Sequence, residues 1–192
     1  ALKRVAKEGV KVLIVDSLYS GSDIKTPSEK IARAMLEEVM LTVNNRNSAL
    51  FVTTFSSHIA RLKSIVDFGQ KLNREIFFIG RSLSKYVTAS NEIGMCPFYK
   101  KVNIGTYKRQ VESIFKKVER NREGSMVVCT GHQGENGSIL DRLSRDKLHF
   151  QFKPKDHIIF SSKTIPVQEN IERKTAMDNR FRKKGIRLFD NV

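Results

Sequence analysis

Four short apolar runs, each closed by a polar cluster, set the pattern of this chain. They are Leu50–Thr53 followed by Thr54-Phe55-Ser56-Ser57, Ile76–Ile79 followed by Gly80-Arg81-Ser82, Met126–Cys129 followed by Thr130-Gly131-His132-Gln133, and Ile158–Phe160 followed by Ser161-Ser162. Continuous apolar runs of this length predict strands buried on both faces of a parallel sheet. Val10 to Val15 reads as a fifth buried strand, ending at Asp16-Ser17. Ile186 to Phe189 reads as a last one, and Phe150 to Pro154 as a short extra one.

Between the strands the period changes to that of helices. Tyr19 to Thr26 reads as a polar loop, and Thr26-Pro27-Ser28-Glu29 as a helix start. Thr26 caps, Pro27 occupies the first turn and Glu29 completes a capping box. Ile31, Met35, Val39, Met40 and Val43 then follow helical spacing. Further helices are predicted over about 57–72, 83–92, 107–121, from Ile139 to beyond Leu143, and 168–184, the last ended by Gly185. Residues 94–104 read as irregular, with Pro97 as a breaker. Alternating β and α units with short connections imply an α/β fold: a mostly parallel twisted sheet with helices on both faces. In such sheets ligands bind beyond the carboxyl ends of the strands, where this chain collects its hydroxyls, amides and cations.

Charge sharpens that expectation. The 192 residues carry 35 Lys and Arg against 20 Asp and Glu, a net charge of +15. Such a balance favours a polyanionic partner through counterion release. A membrane surface fits less well, since the Lys-rich helices alternate in sign and the chain has no Trp. No stretch has the length of an apolar bilayer span, and the N-terminal segment lacks the order of a signal peptide. The two cysteines, Cys96 and Cys129, form no CxxC pair. They point to a reducing, cytoplasmic setting and to no structural zinc.

The candidate chemistry sits at the strand ends. Asp16 offers a carboxylate at a sheet edge, a common metal-ligand position that also suits a turn cap. Ser56, Ser57 and His58 join a strand end to a helix start, a geometry that suits phosphate and equally an ordinary N-cap. The loop Thr130-Gly131-His132-Gln133-Gly134-Glu135-Asn136-Gly137 is the most specific local signal, suited to close backbone approach to an anion or a ribose, or else a plain glycine-rich turn. It is neither a P-loop nor a dinucleotide fingerprint. Ser161-Ser162 and Arg81-Ser82 repeat the theme. The four histidines show no metal-site spacing.

Taken in order, Val15-Asp16-Ser17, Lys25-Thr26-Pro27-Ser28-Glu29, Thr53-Thr54-Phe55-Ser56-Ser57-His58-Ile59-Ala60-Arg61, Gly80-Arg81-Ser82, Thr130-Gly131-His132-Gln133-Gly134-Glu135 and Ser161-Ser162-Lys163-Thr164-Ile165-Pro166 closely resemble ribonuclease J, its archaeal branch in particular. This is a family of metallo-β-lactamase enzymes that carry a Rossmann-like β-CASP domain. The resemblance implies a two-zinc ribonuclease that degrades RNA from 5′ to 3′, with some endonucleolytic activity. It implies that Asp16 is a metal-bridging ligand, that Glu29 is the first acidic β-CASP residue, and that Ser56, Ser57, His58, Arg81, Thr130, Gly131, His132, Gln133, Gly134, Glu135, Ser161 and Ser162 line an RNA channel preferring a 5′ monophosphate. On this reading residues 1–18 are a remnant of the catalytic domain and 19–192 the β-CASP domain. The resemblance implies zinc-binding histidines outside this chain, so the isolated chain is expected to be inactive and to hold no zinc alone. A homodimer is expected of the full-length protein. The competing reading is a free-standing nucleotide- or phosphate-binding α/β module without nuclease activity.

Overall fold

A computed structural model describes every residue except 1, 18–19, 22 and 24–26. Its elements are α1 (Leu2–Glu8), α2 (Glu29–Thr42), β1 (Leu50–Thr53), α3 (Ile59–Lys71), β2 (Glu75–Ile79), α4 (Arg81–Glu92), a 3-10 turn (Tyr99–Lys101), β3 (Asn103–Gly105), α5 (Lys108–Arg120), β4 (Ser125–Cys129), α6 (Ile139–Ser144), β5 (His157–Phe160), α7 (Gln168–Lys183) and β6 (Arg187–Phe189). The six strands form one sheet in the order β3-β2-β4-β1-β5-β6, with every pairing parallel.

Alternation along the strands divides the core into two layers, because successive side chains point to opposite faces. Phe51, Phe77, Ile79, Val127, Cys129, Ile158 and Phe160 meet the inner faces of α5, α6 and α7. Leu50, Val52, Ile76, Phe78, Met126, Val128 and Ile159 meet α2, α3 and α4. Thus α3 leaves β1 on one face and α6 leaves β4 on the other, although β1 and β4 are neighbours. A crevice between adjacent strands whose connections depart to opposite faces is where doubly wound sheets bind ligands.

The opposite edge of the sheet is held by buried charge. Arg74 donates to the carbonyls of Ser48, Arg122 and Ser125 at 2.8–3.0 Å, and Arg122 pairs with Asp156 at 2.7 Å. Burial pulls the Arg74 pKa down to about 10, so the side chain stays charged at neutral pH. Those cations are spent inside the fold.

Several expectations are corrected. Residues 10–15 form no strand and are exposed, Ile14 at 92%. An apolar run becomes a strand only where a neighbouring strand accepts its hydrogen bonds, and the sheet ends at β3 and β6 without it. The helix expected from Thr26 begins at Glu29 with Ser28 as N-cap, so Pro27 precedes the cap. Thr26 itself and most of the expected 19–26 loop lie outside the described residues. Phe150 to Pro154 is not a strand. Its amides are taken by side chains, Gln151 N–H by Glu119 at 2.9 Å and Lys153 N–H by Asp156 at 2.7 Å. The Phe150 and Phe152 rings instead pack on Phe51, with centroids 5.1 and 4.8 Å away. The irregular 94–104 stretch contributes the edge strand β3, whose three residues were too few to read as a periodic run.

Candidate functional site

The parallel sheet carries the ends of β1, β2, β4 and β5 to a single edge, and side-chain contacts join the loops that follow them. The Phe55 ring stands edge-on to His132, centroids 4.1 Å apart, which sets the β1 and β4 loops side by side across the crevice. Ser56 Oγ and Ser82 Oγ lie 3.1 Å apart, joining the β1 loop to the start of α4. Thr54 Oγ1 donates to the Ser161 carbonyl at 2.8 Å, joining it to the β5 loop.

Gln133 is the latch between the two longest loops. Its amide donates to the Lys163 carbonyl at 3.0 Å and accepts from the Ile165 N–H at 2.7 Å. Glu135 turns back on its own loop, accepting from the Gln133 N–H at 3.1 Å with its other oxygen 3.6 Å from His132 Nδ1. The glycines of this loop serve packing as well as any ligand. A Cβ on Gly131 would stand 2.7 Å from Leu140 Cβ, and one on Gly134 would stand 2.5 Å from the Lys174 backbone nitrogen of α7. The close backbone approach expected toward a ligand is therefore made, at these two positions, toward α6 and α7.

Arg61 organises the β1 side. Its Nε and Nη2 grip both oxygens of Glu29 at 2.8 and 3.0 Å. Its Nη1 donates to the carbonyl and hydroxyl oxygens of Ser161, both at 2.8 Å. Glu29, expected in a capping box, is instead drawn to this guanidinium and stands 3.5 Å from His58 Nε2. The Ser161 hydroxyl is fully buried and donates to the Val192 carbonyl at 2.9 Å.

The predicted residues thus separate by burial. Ser57, His58 and Arg81 are exposed, Ser56, Thr130, Glu135 and Ser162 are half-buried, and Gly131, His132, Gln133, Gly134 and Ser161 are buried. The buried ones brace the edge while the exposed ones present donors. Two polar atoms among them, His132 Nε2 and Ser162 Oγ, are buried without a hydrogen-bond partner among the described residues. Each such group costs roughly 1–3 kcal/mol unless something answers it. Burial lowers the His132 pKa, opposed by the Glu135 carboxylate, which favours the neutral ring. The α3 N-terminus, with no acidic residue in its first turn and no side-chain cap, opens at Ser57-His58. Its free N–H groups and dipole favour an anion there.

The pattern of the chain does not by itself reveal the role of Arg61, which lies inside the 53–61 motif. Its position with Leu62, Ile65 and Phe68 on the buried face of α3 was the available signal, since a buried arginine demands partners. Asp16 stands in the exposed, non-strand segment 12–17. Among the described residues, no group of three or more His, Cys, Asp or Glu side chains is close enough to hold a metal ion. These residues do not by themselves fit a two-zinc centre. Among the described residues no helix is long and apolar enough to cross a membrane.

Fold and crevice together define a doubly wound α/β domain that gathers hydroxyls, amides and cations at the carboxyl edge of a parallel sheet. Residues 47–177 match the family model for the ribonuclease J β-CASP domain, and the chain belongs to that family. It is 37% identical over its full length to "Ribonuclease J" of Pyrococcus abyssi and 34% identical over 98% of its length to "Ribonuclease J" of Methanocaldococcus jannaschii, spanning 42% of each. It is 30% identical to "Ribonuclease J" of Helicobacter pylori (strain J99), spanning 26% of that protein.

Proposed function

We propose that this domain grips the 5′ end of single-stranded RNA for a metal-dependent ribonuclease, with Ser56, Ser57, His58 and Arg81 facing the terminal phosphate and the 130–135 loop behind them. The observation that carries this reading is the Phe55–His132 contact, which sets a helix N-terminus beside a buried, unanswered imidazole nitrogen. Hydroxyls, backbone amides and Arg81 supply donors suited to phosphate oxygens, and the +15 charge supplies long-range attraction. The chain contributes no nucleophile on this reading. It holds the substrate still relative to a catalytic centre, and such positioning lowers the entropic part of the barrier.

Hydrolysis then belongs to the longer protein, acting from the 5′ end and, where RNA threads through, internally. Two zinc ions would supply the activated water, held mainly by residues outside this chain, with Asp16 adding one carboxylate. Glu29, fixed by Arg61 and beside His58, would position a proton-transferring group near the cut. Residues 1–18 would join that catalytic part, and 19–192 form the gripping domain. The two buried free thiols fit a cytoplasmic setting, and pairing of two copies in the longer protein is compatible with it.

The test is equilibrium binding of matched RNAs bearing a 5′ monophosphate or a 5′ triphosphate. The expected result is preference for the monophosphate, lost in Ser57→Ala/His58→Ala. Equal binding of the two RNAs by the unaltered protein would remove the terminal-phosphate pocket from the proposal.

A further inference from the structure

A second cleft lies beside the crevice, on the α5–α6 side of the sheet, with a volume of about 740 Å³. Its walls carry Arg81, Lys108, Arg142 and Lys147. Among the described residues, Arg81, Arg142 and Lys147 have no carboxylate within ion-pairing distance, and Lys108 only reaches Glu112 at 4.0 Å. The other acid in its walls, Glu135, is turned toward His132 and the Gln133 amide. The cleft is therefore net positive.

Two of the three helices that open here lack an acid in the first turn, as α3 does at the crevice, whereas α6 carries Asp141. Acidic residues favour the positive N-terminal end of a helix, and α2 and α7 follow this with Glu29 and Glu169. The α4 and α5 helices, 12 and 13 residues long, both open at this cleft without an acid in the first turn. Instead α4 begins with Arg81 and α5 with Lys108-Arg109. Gly80 provides α4 no side-chain cap. Two dipoles and four cations directed at one cavity repel each other, and an anion seated among them offsets that repulsion.

We infer that this cleft binds backbone phosphates of the same RNA strand, as an arm of the footprint that continues from the terminal-phosphate crevice and shares Arg81 with it. The inference rests on the function proposed above. The two clefts are continuous, since Thr130 and Glu135 line both, and Ser82 in the wall of the second touches Ser56 of the first. A strand seated in one therefore passes the other, and the volume suffices for a nucleotide.

The experiment is fluorescence anisotropy with a short single-stranded oligouridine carrying a 5′ monophosphate, repeated across a series of KCl concentrations. Arg142→Gln/Lys147→Gln removes two cations whose side chains make no hydrogen bond among the described residues. The expected result is a salt slope shallower by about 1.4, from two lost phosphate contacts on a single strand, and roughly tenfold weaker binding at low salt, with the monophosphate preference retained. Lys153→Gln/Lys155→Gln, at the opposite edge of the sheet, removes the same charge and should change the slope little. An unchanged slope in the first variant, or an equal drop in both, overturns the cleft while leaving the crevice standing. Failure of the unaltered protein to bind the oligonucleotide at low salt overturns both readings.

Discussion

Arg61 and Glu29 meet through two parallel hydrogen bonds of 2.8 and 3.0 Å, and the third nitrogen of the same guanidinium holds Ser161. One side chain thus ties α2, α3 and the β5 loop together at the carboxyl edge. A planar fork can do this and an ammonium cannot, because only the fork reaches two separate partners with fixed geometry. Arg61→Met should destabilise the fold by about 2–3 kcal/mol, since it leaves the Glu29 carboxylate without its guanidinium and removes one of two donors from the buried Ser161 carbonyl. Arg61→Lys should recover less than half of that. Urea unfolding of the three proteins checks both values, and equality of Lys with Arg would contradict the fork.

Gly134 and Gly137 separate two causes of glycine preference. Both have positive φ, +71° and +74°, so alanine at either costs about 1 kcal/mol from the backbone alone. Only at Gly134 does a Cβ also collide with α7, 2.5 Å from the Lys174 nitrogen, whereas nothing lies within 4 Å at Gly137. Gly134→Ala should therefore be the more destabilising by at least ~1 kcal/mol. Comparable midpoints for the two variants would show that the loop and α7 are not in contact.

Gln133 should hold the β5 loop in place. In Gln133→Leu the Ile165 N–H and the Lys163 carbonyl lose their partner, at a cost of about 1–3 kcal/mol. Hydrogen exchange at the Ile165 amide should accelerate by more than the global loss of stability predicts. Exchange that simply follows global unfolding would argue against a local latch.

His157 gives the protein an acid-side stability limit. Burial, aided by the charges of Arg187 and Arg74 and opposed by Asp156, lowers its folded pKa to about 4 from an ordinary 6.5. The unfolded chain therefore takes up this proton first as pH falls. The contribution is whole above pH 6.5, declines between 6.5 and about 4, and is absent below, with a total on the order of 3 kcal/mol. His157→Leu should flatten the stability profile across that window. A variant with an unchanged profile would assign the slope to other groups.

The sequence by itself determined the layered architecture. Strands buried on both faces must be apolar throughout, and helices packed on one side must repeat every three to four residues, so both periods are written into the chain. The clustering of Ser, Thr, Gly and His after β1, β2, β4 and β5 also followed, because parallel strands bring their carboxyl ends to one edge. What periodicity could not state was which polar groups would be used up inside. Ser161, Gln133 and Glu135 read like donors and acceptors for a ligand, yet their partners lie 30 to 100 residues away or on their own loop. Residues 10–15 read like a core strand, but burial belongs to a strand only together with its neighbours. The α4–α5 cleft was likewise invisible, since Lys108 and Arg142 become one positive surface only when β3, β2 and β4 lie side by side. Local pattern depends on nearby residues and survives in sequence, whereas pairing and electrostatic potential depend on distances across the fold, which only the tertiary structure decided.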